Sequence, residues 1–265
     1  MIWKNRKANK FAEKWNFKTM FGPYMKFTAA ESYKLLRTNI MFSFSEEGHG
    51  HVIGITSAIQ GEGKSSTACN AAYALAEAGG KVLLLDADLR RPSIASKLGL
   101  AGAPGLTNLL VSRWDYKELI QHCPAAPKLD IITSGDIPPN PSELLGSARM
   151  EQVIQTLMQD YDYIIMDLPP VTVVSDALAI SKLLHGMILV VRGSVSDRKM
   201  LAEALRQLKL VDARVLGFVY RENEVSKKNY GGKYYNKYYT KYYSKYKYGY
   251  YPDHAKSGNE QAAKK

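Results

Sequence analysis

Short apolar runs bounded by glycine, proline or aspartate recur along the chain as far as Tyr220, and most of them are separated by segments of helical periodicity. The predicted strands are Val52–Thr56, Lys81–Leu85, Leu129–Thr133, Tyr163–Met166, Met187–Val191 and Val215–Tyr220. Such an alternation specifies a three-layer α/β domain, in which a mainly parallel sheet carries helices on both faces. The ligand site of this fold lies at the carboxyl ends of the strands, so chemistry is expected after Thr56, Leu85 and Met166.

A helix is predicted ahead of the first strand. Thr28 and Glu31 have the spacing of a capping box that would open this helix. Its apolar stripe consists of Tyr33, Leu36, Ile40 and Met41. Residues 1–27 form a basic segment that lacks the apolar core and the cleavage site of a signal peptide.

The pattern changes after Tyr220, where hydrophobic periodicity stops. Residues 229–251 consist mainly of tyrosine, lysine and glycine and contain no aliphatic side chain, which predicts disorder. The predicted organisation is therefore a basic segment (1–27), one P-loop domain (28–222) and a flexible tail (223–265). Five other tyrosines (Tyr73, Tyr116, Tyr161, Tyr163 and Tyr220) fall in predicted ordered elements, where packing is expected.

The charge distribution and the composition restrict the compartment and the kind of protein to which this sequence can belong. The net charge of +11 is concentrated in the lysines beyond residue 226, opposed there only by Asp253 and Glu260. No apolar run approaches the roughly 18 to 20 residues that a membrane span needs. Cys69 and Cys123 match neither a metal site nor a disulfide framework and are expected to be reduced packing residues. The sequence thus predicts a cytoplasmic protein.

The segment from Ala58 to Ser65 follows a predicted strand and opens a helix, as a P-loop requires. Ala58 stands where the first glycine is usual, which is tolerable if its φ is negative. Lys64 is expected on the β- and γ-phosphates of ATP and the Ser65 hydroxyl on Mg²⁺. The predicted nucleotide-binding residues are Gly61, Glu62, Gly63, Lys64, Ser65 and Ser66.

Two further strands end in acidic residues. Asp86 and Asp88 follow one apolar strand, and Asp167 ends another. Each could merely cap a turn, but beside a P-loop these carboxylates are typical of a site for a hard divalent cation.

The P-loop, the segment Asp86–Pro92 and the segment Tyr161–Pro170 together resemble the Walker A, A′ and B motifs of bacterial tyrosine kinases. The segment Ile137–Leu145 and the tyrosine-rich end resemble that family too. The resemblance runs from about Glu31 to Tyr251. It implies an ATP- and Mg²⁺-dependent protein tyrosine kinase that phosphorylates its own tail in trans and regulates capsule or exopolysaccharide production.

The resemblance also implies residue roles. Lys64, Asp86, Asp88 and Asp167 are the expected catalytic residues, and Ser65, Asp88 and Asp167 the expected metal ligands. A tyrosine is mostly protonated at neutral pH, so a carboxylate that accepts its proton is useful, and Asp86 is the candidate base. The expected phosphoacceptors are Tyr230, Tyr234, Tyr235, Tyr238, Tyr239, Tyr242, Tyr243, Tyr246, Tyr248, Tyr250 and Tyr251. The unmodified, lysine-rich tail is expected to dock at the acidic active site of a neighbour, and its phosphorylation to favour release.

Partners follow from the same resemblance. The version without transmembrane helices looks like a separately encoded cytoplasmic subunit, held at the inner face of the membrane by a membrane-embedded activator. Glu31, Lys34 and Arg37 resemble the family's self-association motif, with lysine where arginine is usual, and imply a homo-oligomer that could be a ring. A solvated helix face is the alternative. Other tyrosine-phosphorylated proteins are expected partners, and nucleic acid is not.

Two alternative functions remain open at this point. A partitioning or positioning ATPase of the related P-loop class would carry an extra lysine early in the loop, where this chain has Ile59. A nucleic-acid-binding or membrane-binding module would use the basic, tyrosine-rich tail.

Overall fold

The computed structural model describes residues 21–44, 48, 50–193 and 195–222. The strands are β1 (His51–Ser57), β2 (Val82–Asp86), β3 (Gln121–His122), β4 (Leu129–Ile132), β5 (Tyr163–Asp167), β6 (Gly186–Arg192) and β7 (Val215–Arg221). The α-helices are α1 (Phe27–Ser43), α2 (Lys64–Glu77), α3 (Ile94–Leu98), α4 (Leu106–Val111), α5 (Pro141–Leu145), α6 (Ala148–Asp160), α7 (Asp176–Ala179) and α8 (Arg198–Leu210).

The strands form one sheet in the order β3-β4-β2-β5-β1-β6-β7. All neighbouring strands are parallel except β3, which pairs antiparallel with β4 at one edge. The six predicted strands are confirmed to within a residue or two at each end. The two-residue strand β3 was missed because it is too short to show a hydrophobic pattern.

Two hydrophobic clusters cover the two faces of the sheet. One contains side chains of α4, α5, α6 and α8, and the other contains side chains of α1, α2 and α3. Helix α2 is rich in alanine and buried from Ser65 to Ala76 except for Ser66, because small side chains let it lie close to the central strands. The three-layer arrangement predicted from the sequence is confirmed.

The start of α1 differs from the prediction. The helix begins at Phe27 with Lys26 as N-cap, and no side chain caps it. Thr28 is therefore already helical, and the Glu31 side chain bonds Lys34 instead of a free backbone amide. In the predicted apolar stripe Ile40 is buried, but Met41 is 44% exposed.

The tyrosines of the ordered elements follow the expectation with one exception. Tyr73, Tyr116 and Tyr161 are buried and Tyr163 is half-buried, whereas Tyr220 is 64% exposed. Tyr220 lies on β7, the last strand of the sheet, beyond which the described residues contribute no further strand. Both cysteines are buried and free, as predicted. Among the described residues, no helix is both long and apolar enough to cross a bilayer.

Candidate nucleotide and phosphoryl-transfer site

The loop between β1 and α2 has the shape of a P-loop (residues 58–65). Gly61 and Gly63 have φ angles of 83° and 94°, a left-handed conformation that favours glycine. The prediction from the sequence required a negative φ at Ala58. This requirement is met, because Asp212 is the only non-glycine residue with positive φ in the described part of the chain. The Thr172 hydroxyl donates to the Ala58 carbonyl at 2.6 Å and fixes the start of the loop. Because α2 begins directly after Gly63, backbone amides and the positive end of a helix meet here, which suits phosphate.

Lys64 lies between the carboxylates that follow β2 and β5. Its Nζ is 2.7 Å from Oδ2 of Asp88, 3.3 Å from Oδ1 of Asp167 and 3.4 Å from Oγ of Ser65. The side chains of Lys64, Asp88 and Asp167 are 12%, 6% and 0% exposed. The structure thus brings together four residues that three separate sequence motifs contribute.

Asp86 faces the same cluster from a different environment. It is the cross-strand neighbour of Asp167 and is fully buried. Its carboxylate accepts hydrogen bonds from the backbone amides of Asp88 (3.3 Å), Ser93 (3.2 Å) and Ile94 (3.1 Å). Asp86 therefore holds the loop that carries Asp88.

The electrostatics of the cluster are tightly linked. Burial raises the pKa of Asp86 to about 7, and the charge of Asp167 adds to the rise. Burial also raises the pKa of Asp167, against the opposing charge of Lys64. Although burial disfavours the ammonium form, the charges of Asp167 and Asp88 raise the pKa of Lys64. Lys64 is thus one cation among three buried carboxylic acid groups, those of Asp86, Asp88 and Asp167. A bound divalent cation would balance the remaining negative charge.

The donor set fits Mg²⁺ together with a triphosphate. Oδ2 of Asp167 is buried without a hydrogen-bond partner among the described residues, next to the hydroxyl of Ser65. No group of three or more His, Cys, Asp or Glu side chains in the described ranges is arranged as a complete metal cage. Mg²⁺ characteristically takes one or two protein oxygens and completes its shell with phosphate and water, so this partial set suits it.

Glu62 has a structural place in the loop. It is 1% exposed, and its carboxylate accepts the Ile59 amide at 2.9 Å and the Ser196 hydroxyl. Ser196 Oγ also accepts the backbone amide of Arg192 at 2.7 Å. The Glu62 side chain therefore ties the P-loop to the segment after β6, and only its backbone is available to a nucleotide.

Two arginines clamp the outer side of the P-loop. Arg192 and Arg221 are cross-strand partners at the carboxyl ends of β6 and β7. Nη1 of Arg192 donates to the Gly61 carbonyl at 3.0 Å, and Nη1 of Arg221 donates to the Gly63 carbonyl at 3.2 Å. Both arginines therefore bond P-loop carbonyls, and the backbone amides of the loop are left for phosphate. Sequence reasoning missed this clamp, whose only signal was an arginine at the end of each strand.

We expect Arg221→Ala to weaken ATP binding about tenfold, since it removes a charged hydrogen bond of roughly 1.5 kcal/mol that orders the loop. The dissociation constant for ATP, measured by calorimetry on the full chain, checks this. Arg206→Ala is the matched control, because among the described residues the Arg206 guanidinium bonds only the Glu203 carboxylate, one turn away on the surface of α8. Equal ATP affinity in the wild type and Arg221→Ala would show that the clamp does not order the loop.

A second network joins the loop after β2 to α5 and α7. The guanidinium of Arg90 binds both carboxylate oxygens of Asp176, at 2.8 and 3.0 Å. Asp176 is 0% exposed and also accepts a hydrogen bond from the Ser142 hydroxyl. Ser142 belongs to the segment Ile137–Leu145, so this segment braces the catalytic loop rather than the nucleotide.

The P-loop and its neighbours enclose a cavity of about 710 Å³. Its lining includes Gly61, Gly63, Lys64, Ser65, Ser66, Asp88, Arg90, Arg91, Lys97, Arg192, Arg221 and Glu222. The three aspartates predicted to be catalytic are buried, whereas most charged side chains at the rim are cationic. Because these carboxylates are enclosed, they do not form an exposed acidic surface, and the expectation that a lysine-rich tail docks at this site stays a prediction.

The predicted self-association residues lie on α1, away from this cavity's lining. Lys34 and Glu31 form an ion pair at 2.8 Å, the i,i+3 contact of a solvated helix face. Arg37 donates to the Ala74 carbonyl at 3.3 Å and lies 3.7 Å from Glu77, both on α2. All eleven predicted phosphoacceptors lie outside the described residues.

Comparison with known proteins defines the family. A family model described as "ParA: NUBPL iron-transfer P-loop NTPase" matches residues 48–241. The chain is 37% identical over 205 residues to the tyrosine-protein kinase YwqD of Bacillus subtilis, covering 77% of this chain and 86% of that protein. It is 36% identical over 203 residues to the tyrosine-protein kinase CpsD of Streptococcus agalactiae, covering 76% and 85%. The chain belongs to the bacterial tyrosine-protein kinase family.

A solved structure agrees with this kinase family assignment. The kinase domain of the Escherichia coli tyrosine kinase ETK matches with a TM-score of 0.70 and 30% identity, covering 77% of this chain and 80% of that one. The fold and family predicted from the P-loop and the two acidic strand ends are confirmed, and the kinase relatives favour this assignment over a partitioning ATPase.

Proposed function

We propose that this chain transfers the γ-phosphoryl group of ATP to tyrosine hydroxyls, including those of its own residues 230–251, in trans within a homo-oligomer. The observation that carries the proposal is the contact of Lys64 with Asp88 and Asp167 in a chain whose relatives are tyrosine-protein kinases. The family resemblance adds a role in capsule or exopolysaccharide synthesis.

The P-loop binds and orients the nucleotide. Its amides hold the phosphates, and Lys64 exchanges its contact with Asp88 for contacts to the β- and γ-phosphate oxygens. Bound Mg²⁺ would neutralise phosphate charge, held by Ser65 and Asp167 with Asp88 nearby. The bond between the β-γ bridging oxygen and the γ-phosphorus then breaks, a tyrosyl oxygen bonds to that phosphorus, and ADP leaves.

A carboxylate receives the proton of the tyrosyl hydroxyl. The assignment of this role to Asp86 stays a prediction. Its full burial and its three backbone hydrogen bonds support a positioning role, whereas Asp88 lines the cavity and is better located to face an acceptor. Phosphoryl transfer depends mainly on alignment and charge stabilisation, so base assistance is a smaller contribution.

The fate of the γ-phosphoryl group separates this function from an ATPase. The full chain is incubated with Mg²⁺ and ATP labelled at the γ-phosphate. The amounts of phosphotyrosine and of free phosphate are then both measured. A kinase converts most consumed ATP into phosphotyrosine until the acceptors are used. Release of nearly all label as free phosphate, with no phosphotyrosine, would favour the partitioning-type ATPase.

The proposed cellular setting is the cytoplasm, where ATP is available, at the inner face of the membrane. A membrane-embedded activator would dock its cytoplasmic segment on this domain and stabilise the ATP-competent state. The resemblance supports this partner, and autophosphorylation with and without that segment tests it.

Self-association through α1 is expected to depend on Glu31 more than on Arg37. Glu31 pairs with Lys34 on the solvated face of α1, where it can exchange partners, whereas Arg37 is anchored to α2 of its own chain. Glu31→Ala should shift the oligomer to lower mass by removing an acidic contact for a neighbour. Light scattering at several protein concentrations measures the change, with Glu203→Ala on α8 as control. An unchanged oligomer mass in Glu31→Ala would contradict a role of Glu31 in self-association and favour the alternative, in which this face of α1 is simply solvated.

A further inference from the structure

The cavity rim beside the loop after β2 carries two cationic side chains that no carboxylate of the described residues neutralises. Arg91 is exposed, and its Nη1 donates to the neutral amide oxygen of Gln60 at 2.9 Å. Lys97, on α3, lines the same part of the cavity. Neither side chain forms an ion pair with a carboxylate in the described part of the chain. Both are therefore available to an anionic ligand.

The sheet order shows which end of the nucleotide these cations would face. Strand β1, which leads into the P-loop, has β5 on one side and β6 on the other. Lys64 points to the β2 and β5 side, so the γ-phosphate belongs there and the nucleoside toward β6 and β7. The Arg91 amide donates to Asp88 at 3.0 Å. Arg91 thus adjoins Asp88, on the side of the cavity assigned above to the γ-phosphate.

The charge on this side does not suit an unmodified tail. Asp86, Asp88 and Asp167 are no more than 4% exposed, so their field is largely enclosed. A lysine-rich segment would meet Arg91 and Lys97 as like charges. A phosphotyrosine, with a charge of roughly −1.5 to −2, would be attracted to them and could accept the arginine's paired hydrogen bonds.

The tail sequence supplies such a ligand at a regular spacing. Tyrosine pairs recur every four residues, at 234 and 235, 238 and 239, and 242 and 243. In an extended chain four residues span about 12 Å. In such an extended chain, each newly phosphorylated tyrosine would be about 12 Å from an acceptor in the next repeat.

We propose that Arg91 and Lys97 form a phosphotyrosine subsite that holds a product tyrosine of one tail repeat while a tyrosine of a neighbouring repeat reaches the γ-phosphate. The inference rests on the proposed function and deepens it. Phosphorylation of one repeat then promotes phosphorylation of the next, rather than releasing the tail. No additional chemical step is involved.

The binding test needs no catalysis. A fluorescent peptide of residues 233–244, with or without phosphate on the tyrosine at position 239, is titrated with full-length protein in ADP and Mg²⁺. The protein carries phenylalanine at the eleven tail tyrosines, so that its own tail is never phosphorylated. We expect the phosphopeptide to bind about tenfold more tightly, the effect of one charged contact. In R91A/K97A the two affinities should become equal, while R91K/K97R and the distant control R206A/K209A keep the difference.

The kinetic test uses the same proteins with unlabelled peptides and Mg·ATP. The ratio of kcat/KM between phosphopeptide and unmodified peptide should be about ten in the wild-type domain, mostly through KM, and about one in R91A/K97A. Equal binding of both peptides to unmutated Arg91 and Lys97 would overturn the subsite. The subsite would also be overturned if R91A/K97A raised the KM for ATP but kept the kcat/KM ratio between the two peptides. Arg91 and Lys97 would then bind ATP instead of phosphotyrosine. Tighter phosphopeptide binding without any peptide phosphorylation would support the subsite and contradict the kinase function.

Discussion

Tyrosine phosphorylation should fall by about 10²- to 10³-fold in Lys64→Met, which is the range for loss of one group that stabilises a transition state electrostatically. Lys64 is the only cation within bonding distance of Asp88 and Asp167 among the described residues. The same substitution leaves those buried carboxylates without their counter-ion. We therefore expect it to destabilise the nucleotide-free protein by about 3–5 kcal/mol, rather than to leave the fold unaffected.

Two controls separate catalysis from stability in this experiment. Lys64→Arg keeps a buried cation and most of the stability but cannot match the ammonium geometry, so its activity should still fall. Lys209→Met changes an exposed lysine of α8 and should alter neither property. Circular dichroism and thermal unfolding establish that each variant is folded. A folded Lys64→Met protein with undiminished phosphotyrosine would remove Lys64 from the catalytic site.

The sequence predicted the parts of the site that depend on local pattern. Lys64, Asp88 and Asp167 each follow an apolar strand, and parallel strands bring their carboxyl ends to one edge. The clamp of Arg192 and Arg221 was not predictable in the same way, because its partners are P-loop carbonyls more than 100 residues distant in sequence.

Other differences have equally local causes. Thr28 and Glu31 fit a capping box in spacing, but the helix starts one residue before Thr28, so the threonine cannot cap it. Tyr220 continues an apolar run and was expected to pack, yet it lies on an edge strand. The burial of the carboxylates was not predictable, because the sequence shows where the aspartates are, but not that Asp86 and Asp167 are fully enclosed.

Replacing all eleven tail tyrosines with phenylalanine should lower phosphate incorporation at least about tenfold, because the sequence predicts a flexible segment here, and such a segment can present successive acceptors to one site. ATP affinity should stay within about twofold of the wild-type value, since the predicted nucleotide-binding residues are those of the P-loop. Phosphate incorporation is measured by intact-mass spectrometry after incubation with Mg·ATP.

A matched control addresses the exposed tyrosines of the domain. Tyr24 and Tyr220 are 58% and 64% exposed, so both are accessible without unfolding. The Tyr24→Phe/Tyr220→Phe variant should incorporate as much phosphate as the wild type. Loss of incorporation in this control, with retention in the tail variant, would move the acceptors from the tail to the domain.

Peptide mapping of the full chain after incubation with Mg·ATP tests the central claim most directly, because it identifies both the modified residue type and its position. We predict phosphotyrosine within residues 230–251, formed as ADP accumulates and absent without Mg²⁺. ATP consumption with no phosphorylated tyrosine anywhere in the chain, in the presence of the activator's cytoplasmic segment, would contradict it.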